Sequence, residues 1–220
     1  MDGWNNEHAI QCLGPLLRGL RLTVFSTVVG FGLALVIALV WTAMRLSGRP
    51  ALKGASAAIV EFLRGTPLLI QLYVLYFVIF QSIENLSALA VGVVGLGLHY
   101  SAYCAEIYRA GLDAVPRGQA EACRALGLGP IKTFRHVLLP QALTRAVPAL
   151  GNAFIAMFKD TPMLYAIAVT ELLSEAKQYG SEHYRFLEPI TMAGLFFLIL
   201  SLLAAGLVRL AEHKLPVRHA

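Results

Sequence analysis

Long stretches without charged residues dominate the pattern of apolar and polar positions along the chain. Four such stretches are residues 22–44, 65–83, 85–105 and 189–208. Because a helix needs about 20 mostly apolar residues to cross the hydrocarbon of a bilayer, each of them is long enough to span a membrane. A fifth stretch, 146–170, contains Lys159 and Asp160 as well as Pro148 and Pro162. The pattern predicts an all-α polytopic membrane protein with about five transmembrane helices.

The fifth stretch is predicted to insert poorly by itself. On an insertion scale its Leu, Ile, Phe and Val side chains contribute roughly −2 to −5 kcal/mol, whereas Lys159 and Asp160 cost roughly 5 to 7 kcal/mol. Adjacent helical residues point in different directions, so each charge needs its own partner. Two interpretations stay open: the charges border a solute pathway at a kink near Pro162, as in the broken helices of transporters, or they form interhelical ion pairs.

Composition and charge narrow the class of protein. The chain is 57% hydrophobic and only 14% charged, which excludes a soluble domain and a disordered chain. Of its 18 Lys and Arg residues, twelve fall in the connections on one side of the predicted spans and four on the other. Since cytoplasmic loops carry the excess of basic residues, the N-terminus is predicted outside and the C-terminus in the cytoplasm. The basic balance is therefore assigned to topology, and nucleic acid is excluded as a partner.

The stretch 85–105 shows a packing pattern. Small residues recur at every fourth position, which allows another helix to approach closely: Gly97, Ser101 and Ala105. The approaching helix belongs to this chain or to a second copy. His99 is predicted to form a hydrogen bond to a neighbouring helix rather than to bind a ligand. Three charges beyond it predict a solvated ladder at the membrane boundary: Glu106, Arg109 and Asp113.

Metal sites and disulfides are not supported by the sequence. The three cysteines stand far apart without a C-x-x-C pair, and they are interpreted as small buried side chains: Cys12, Cys104 and Cys123. No H-E-x-x-H or G-x-S-x-G motif points to an intramembrane enzyme.

The longest predicted cytoplasmic connection, residues 109–145, carries the most specific motif. Residues 119–126 are predicted to form a helix that Gly127 stops, and a second helix over 131–139 is predicted to end before Pro140. A ridge of small apolar side chains on the first helix suits docking into a groove on another protein: Ala122, Ala125 and Leu126. The alternative is an interfacial helix that rests on the membrane.

This connection resembles the E-A-A-x3-G-x9-I-x-L-P signature of permease subunits of ATP-binding-cassette (ABC) importers. Two positions depart conservatively, since Cys123 stands in place of Ala and Val137 in place of Ile. The resemblance implies that eight residues form a loop that couples the permease to an ATPase: Glu121, Ala122, Cys123, Leu126, Gly127, Val137, Leu139 and Pro140.

Three further segments are similar to the polar amino acid branch of these permeases. Arg64-Gly-Thr-Pro-Leu-Leu-Ile-Gln71 matches R-G-T-P-x3-Q, and Ser101 to Gly111 resembles S-A-Y-x-A-E-I-x-R-A-G. Lys159-Asp-Thr161 resembles the start of K-D-T-S-L, although Pro162 and Met163 replace Ser-Leu. A substrate pathway is assigned to four residues: Lys159, Asp160, Thr161 and Gln71.

The resemblance implies the transmembrane domain of a type I importer over 22–212, with the coupling loop at 109–145, an extracytoplasmic segment at 1–21 and a cytoplasmic tail at 213–220. Its implied setting is the bacterial inner membrane, with membrane lipid around it. The implied partners are two ATPase subunits, a second identical or homologous permease and an extracytoplasmic solute-binding protein. ATP and magnesium belong to the ATPase, because this chain lacks a G-x4-G-K-[ST] loop and carries no cofactor or metal.

The expected cargo is a polar amino acid, or alternatively an ectoine-type or opine-type solute. A channel is far less favoured.

Overall fold

The computed structural model describes residues 3–80 and 86–214, and every regular element in these ranges is helical. The helices are α1 (Asn6–Gln11), α2 (Leu13–Leu46), α3 (Pro50–Gly65), α4 (Leu68–Tyr73), α5 (Ala88–Asp113), α6 (Arg117–Ala125), α7 (Pro130–Thr133), α8 (Leu139–Asp160), α9 (Leu172–His183) and α10 (Leu187–Lys214). Wider or tighter turns extend three of them: π-helical Val74–Ile79 after α4, π-helical Phe134–Leu138 after α7 and 3₁₀-helical Thr161–Ile167 after α8.

Three helices, α2, α5 and α10, are long and apolar enough to cross a membrane. Two more spans result if each bent pair of helices counts as one. The first pair, Pro50–Gly65 with Leu68–Ile79, turns by 105°, and the second, Pro130–Ile167 with Leu172–His183, turns by 51°. The described residues therefore provide up to five spans, in agreement with the sequence prediction, and two of the five are broken.

Helices extend beyond two of the predicted apolar stretches. Residues 50–65, predicted as part of a connection, form α3, whose Ser56 hydroxyl donates to the carbonyl of Trp41 at 2.8 Å. Residues 13–21 of the predicted extracytoplasmic segment are helical and form the first turns of the 34-residue helix α2. In both places charges and prolines end an apolar run without ending a helix. The boundary predicted at Glu84 and residues 215–220 of the predicted tail lie outside the described residues.

Helices α2 and α5 pack along the stripe of small residues. The position of an added Cβ on Gly97 would lie 2.8 Å from a side-chain methyl of Leu33. Ser101 accepts a hydrogen bond from the indole nitrogen of Trp41 at 3.0 Å, and Ala105 is buried. The stripe thus meets a helix of this chain. The hydrogen bond predicted between His99 and a neighbouring helix is also present, since its Nδ1 lies 3.1 Å from Oε1 of Gln71 in α4.

A second apolar cluster joins the start of α2 to α9 and α10. Its buried members are Cys12, Leu16, Leu172, Ala176, Tyr179 and Ala193. Polar contacts hold α1 over this cluster: the backbone NH of Asn5 donates to Glu188 at 2.8 Å, and Nδ1 of His8 lies 2.9 Å from the hydroxyl of Tyr179. All three cysteines of the chain are free and buried, as predicted.

Gly19 tests the contact between α2 and α9. A Cβ at this position would lie 2.8 Å from the carbonyl oxygen of Glu171 and 2.8 Å from Cα of Leu172. Because both atoms belong to backbone, Gly19→Ala should force the helices apart and destabilise the protein by about 1–3 kcal/mol, the usual cost of overpacking. Thermal unfolding in detergent measures the effect. The matched control is Gly32→Ala in the same helix, where a Cβ meets nothing within 4 Å. Equal melting temperatures for the two variants would contradict the prediction.

Candidate functional site

A cavity of about 600 Å³ lies between α5 and α8 and reaches the end of α3. Its lining consists of Arg64, His99, Tyr100, Tyr103, Glu106, Ile107, Arg109, Ala110, Arg145, Ala149, Ala153, Ala156 and Asp160. The volume is in the range of small-molecule sites in proteins. Of the five charged side chains around it, only Asp160 was predicted for the pathway, so the cavity is described wall by wall.

The wall formed by α8 consists of one helical face. Spacings of four, four, three and four residues place five side chains in line: Arg145, Ala149, Ala153, Ala156 and Asp160. From the first to the last, this face covers about 22 Å of helix. It carries a charge at each end and only methyl groups between them. The small side chains leave the space that the cavity occupies.

Asp160 lies where α8 ends and the 3₁₀-helical turns begin. Its Oδ2 accepts a hydrogen bond of 2.6 Å from the hydroxyl of Tyr100 on α5. Among the described residues it makes no ion pair, so the interpretation that Asp160 joins helices through a salt bridge finds no support within this chain. The break predicted near Pro162 is present, and it places the carboxylate at the edge of the cavity.

A positive charge faces the same cavity. The guanidinium of Arg64, at the end of α3, lies over the ring of Tyr103 with 5.4 Å from Cζ to the ring centroid. This is within the range of a cation–π contact. Within ranges 3–80 and 86–214 Arg64 forms no ion pair. The cavity therefore has a cation and a carboxylate that form no ion pair within 4 Å among the described residues.

Glu106, the other carboxylate of the cavity wall, is neutralised. It accepts from Arg109 at 2.8 Å and lies 3.3 Å from a guanidinium nitrogen of Arg45 on α2. Arg109 also pairs with Asp113 at 2.7 Å. The ladder predicted from the spacing is present, but it is not merely solvated, because Glu106 joins two helices.

The three other residues predicted for the pathway do not line the cavity. Lys159 is exposed, whereas Thr161 is buried and donates to the carbonyl of Phe158 at 2.8 Å. Gln71 donates to the carbonyl of Leu63 at 2.8 Å and to the hydroxyl of Thr66 at 2.6 Å. It thereby holds the bend between α3 and α4.

Sequence reasoning overlooked Arg64, Tyr100, Tyr103 and Arg145 as cavity residues. The regular spacing from Arg145 to Asp160 was a readable signal for one wall. The others depend on which helices pack together, which one chain's periodicity does not reveal.

The loop that follows α5 contains the short helix α6, which ends in a Schellman motif. The backbone NH of Gly127 donates to Arg124 and that of Leu128 donates to Cys123, each at 3.0 Å. Gly127 has a φ of 71°, in the left-handed region that side chains disfavour. The predicted stop at Gly127 is therefore present, and the geometry explains why a glycine occurs at this place in the motif.

The motif residues of this loop differ in how exposed they are. Cys123 is buried, while Glu121 and Ala122 are exposed. Leu126 is 78% exposed and Ile131 is 80% exposed, which is unusual for large apolar side chains. The predicted ridge is thus accessible to a partner or to lipid.

The second predicted helix does not end before Pro140. The backbone NH of Leu139 donates to the carbonyl of Phe134, five residues earlier, and α8 continues through Pro140. A proline ring normally clashes with the carbonyl four residues before it, here that of His136. The wider turn relieves that clash, so the chain continues from the loop into α8 without a break. Val137 and Leu139 are half-buried in this segment, and Pro140 is exposed.

Comparison with known proteins matches most of the chain to membrane components of transport systems, as the motifs predicted. Residues 30–216 match the family described as binding-protein-dependent transport system inner membrane component. The chain is 40% identical to a probable amino-acid ABC transporter permease of Sinorhizobium fredii, over 99% of this chain and 95% of that protein. It is 36% identical to an octopine transport system permease of Rhizobium radiobacter, over 94% and 86%. A crystal structure of an amino acid ABC transporter with histidines superposes with a TM-score of 0.91 at 32% identity, covering 97% of this chain and 100% of that one.

Gly127 provides a direct test of the loop. Replacing it by alanine puts a side chain into the left-handed region and should destabilise the end of α6 by about 1 kcal/mol. Hydrogen exchange of the amides of 117–128, measured by mass spectrometry, should become faster. Gly129→Ala is the matched control, because Gly129 has a φ of −65° and open space around it. Faster exchange in both variants, or in neither, would contradict the role given to Gly127.

Proposed function

The chain belongs to the family of binding-protein-dependent transport system inner membrane components, and we propose that its cargo is a polar amino acid or an amino-acid-like solute. It is a multi-pass integral membrane permease subunit of an ABC transporter, not an enzyme, and it acts with an ATPase and a solute-binding protein. The type I importer fold predicted from the motifs is the fold of its structural neighbour. The cargo proposal is supported by relatives named for amino acids and for octopine.

The cavity supports this cargo through its charges. An amino acid carries a carboxylate and an ammonium group, and the cavity offers Arg64 and Asp160, which have no ion pair within the described part of the chain. Tyr100 and Tyr103 lie between them along α5, with ring centroids 5.9 Å apart. The carboxylate of such a solute would bind near Arg64 and its cationic group near Asp160. Charge-assisted hydrogen bonds of this kind are stronger than neutral ones.

The loop around α6 is proposed as the contact with the ATPase. The exposed side chains of Glu121, Ala122 and Leu126 form its surface, whereas Gly127 and Cys123 fix the helix end. Val137, Leu139 and Pro140 join the loop to the cavity helix α8. ATP and magnesium bind on the ATPase in this proposal. Movement of the docked loop would then reach α8 through a continuous helical segment.

The same arrangement supports a proposal for the orientation of the chain and for the membrane in which it lies. The loop carries much of the basic excess of the chain, which favours a cytoplasmic position for α6, an outer N-terminus and the inner membrane of a bacterium. A second permease, identical or homologous, is proposed because up to five spans are too few to enclose the cavity.

Asp160→Asn tests the cargo site. The amide still accepts from Tyr100 but no longer attracts a cation, so uptake should fall by about tenfold or more, the range for loss of a charged hydrogen bond. The assay uses proteoliposomes with the permease, its ATPase and its binding protein, and radiolabelled glutamine, arginine and octopine as probes. Glu61→Gln is the control, since Glu61 is exposed on α3 and does not line the cavity. Unchanged uptake and preference in Asp160→Asn would remove Asp160 from the pathway. A wild type that takes up none of the probes would overturn the cargo proposal itself.

Glu121→Lys tests the docking surface. Reversing this exposed charge should release the ATPase during co-purification and reduce uptake, while the permease still inserts into the membrane. The control is Glu182→Lys, an exposed carboxylate on α9 that bonds only Gln178 within the described residues. Retention of the ATPase by Glu121→Lys would argue that α6 rests on the membrane instead.

A further inference from the structure

Arg145 is a cavity residue of α8 whose side chain also contacts the start of the loop. It stands at the end of the α8 face opposite Asp160 and lines the cavity. Its Nη1 donates a hydrogen bond to the backbone carbonyl of Ala114, the residue that follows α5. Helix α6 begins three residues later at Arg117. One side chain therefore connects the wall of the cavity to the entry of the loop.

The contact with Ala114 is physically favourable. The last carbonyls of a helix have no partner within it, and the C-terminal end of the helix carries partial negative charge. At the end of α5 the NH groups of Ala114 and Val115 turn back to Ala110 and Leu112, but the carbonyl of Ala114 points to α8. A guanidinium supplies the missing donor and opposes the helix dipole. Arg145 thereby holds the last turn of α5 to α8.

Helices α5 and α8 also touch through backbone close to this point. A Cβ on Gly111 would lie 2.8 Å from the carbonyl oxygen of Ala142 and 3.3 Å from Cβ of Ala146. The two helices thus meet one turn before Ala114. A hydrogen bond from Gln141 on α8 to Gln119 on α6 also joins these elements, but it is long at 3.5 Å. The two helices are in close contact at Gly111, and the Arg145 side chain ties the start of the loop to the cavity helix.

We propose that Arg145 is a positioning residue that transmits movement of the loop around α6 to the mouth of the cavity. The inference rests on the proposed function, because it assumes that the loop moves with an ATPase. When the loop shifts, the carbonyl of Ala114 shifts with it. The guanidinium of Arg145 then either moves with this carbonyl or loses its hydrogen bond to it. Either response changes the end of the cavity where Glu106 and Arg109 also lie. Cargo release toward that end is then linked to the state of the ATPase.

Arg145→Gln and Arg145→Lys test this role in proteoliposomes that contain the permease, its ATPase and its binding protein. The cargo is whichever of glutamine, arginine or octopine the wild type takes up best, and both uptake and ATP hydrolysis are measured. Arg145→Gln should lower uptake by about tenfold, the size expected for loss of a hydrogen bond to a charged group, and should raise the ATP hydrolysed per cargo moved. Arg145→Lys keeps a cationic donor for Ala114 and should recover most of the coupling. Arg49→Gln, an exposed arginine outside the cavity lining, is the matched control.

The ratio of ATP to cargo separates the possible results. If Arg145 only bound cargo or only stabilised the fold, uptake would fall with the ratio unchanged, and that result would overturn the inference. Wild-type behaviour of Arg145→Gln would overturn it as well. Amounts in the membrane are matched by immunoblot, and Arg145→Met takes the place of Arg145→Gln if the latter does not insert. Failure of the wild type to transport any probe falsifies the proposed function instead, so the two failures are distinguishable.

Discussion

Backbone inside a bilayer has to satisfy its hydrogen bonds within the protein, and the chain meets this demand at a place where it leaves the α-helix. After Asp160 the backbone tightens into 3₁₀ turns, and Ala168 then takes a left-handed φ of 62°. The carboxylate of Glu171 accepts from the NH groups of Leu173 and Ser174, at 2.9 and 2.8 Å, and so caps α9. The NH of Leu172 reaches Thr23 on α2 at 3.2 Å. The cap of α9 and the contact with α2 therefore hold the break in place, and the position of the break determines where Asp160 lies.

The cavity results from where the helices do and do not touch. Helices α2 and α5 are in contact along their small residues, with Trp41 and Ser101 joined by a hydrogen bond. Helix α8 contacts α5 closely at Gly111 and again through the bond between Tyr100 and Asp160. Between these contacts the face of α8 that lines the cavity carries only alanines, whose small side chains leave room for the cavity. A wall held at its two ends can tilt without unpacking the seam of α2 and α5, which is the kind of rigid movement that transporters use.

The sequence predicted those features that one segment determines by itself. The apolar runs identify spans, Gly127 stops α6, and the charges before Pro162 indicate a broken helix, because each depends on local composition or backbone preference. Features set by packing were missed. Lys159 and Asp160 are neighbours in sequence, yet only the latter lines the cavity, and Gln71 holds the bend between α3 and α4. Helix α3 was not predicted either. It is held in place by contacts with α2 and α5, and the spacing of charges along one stretch carries no information about such contacts.

The charge of Asp160 is what relates this packing to a cargo. An ionised carboxylate loses hydration when it leaves water, and one hydrogen bond from Tyr100 replaces only part of that loss. Glu106 avoids the cost through two guanidinium groups, but among the described residues Asp160 has no cation beside it. A cationic group that enters the cavity therefore gains more there than it would beside a hydrated carboxylate. The same reasoning applies to Arg64, which lies over the ring of Tyr103 and forms no ion pair within 4 Å in the described part of the chain. A solute with both charges compensates both residues at once, whereas a neutral solute leaves both costs in place.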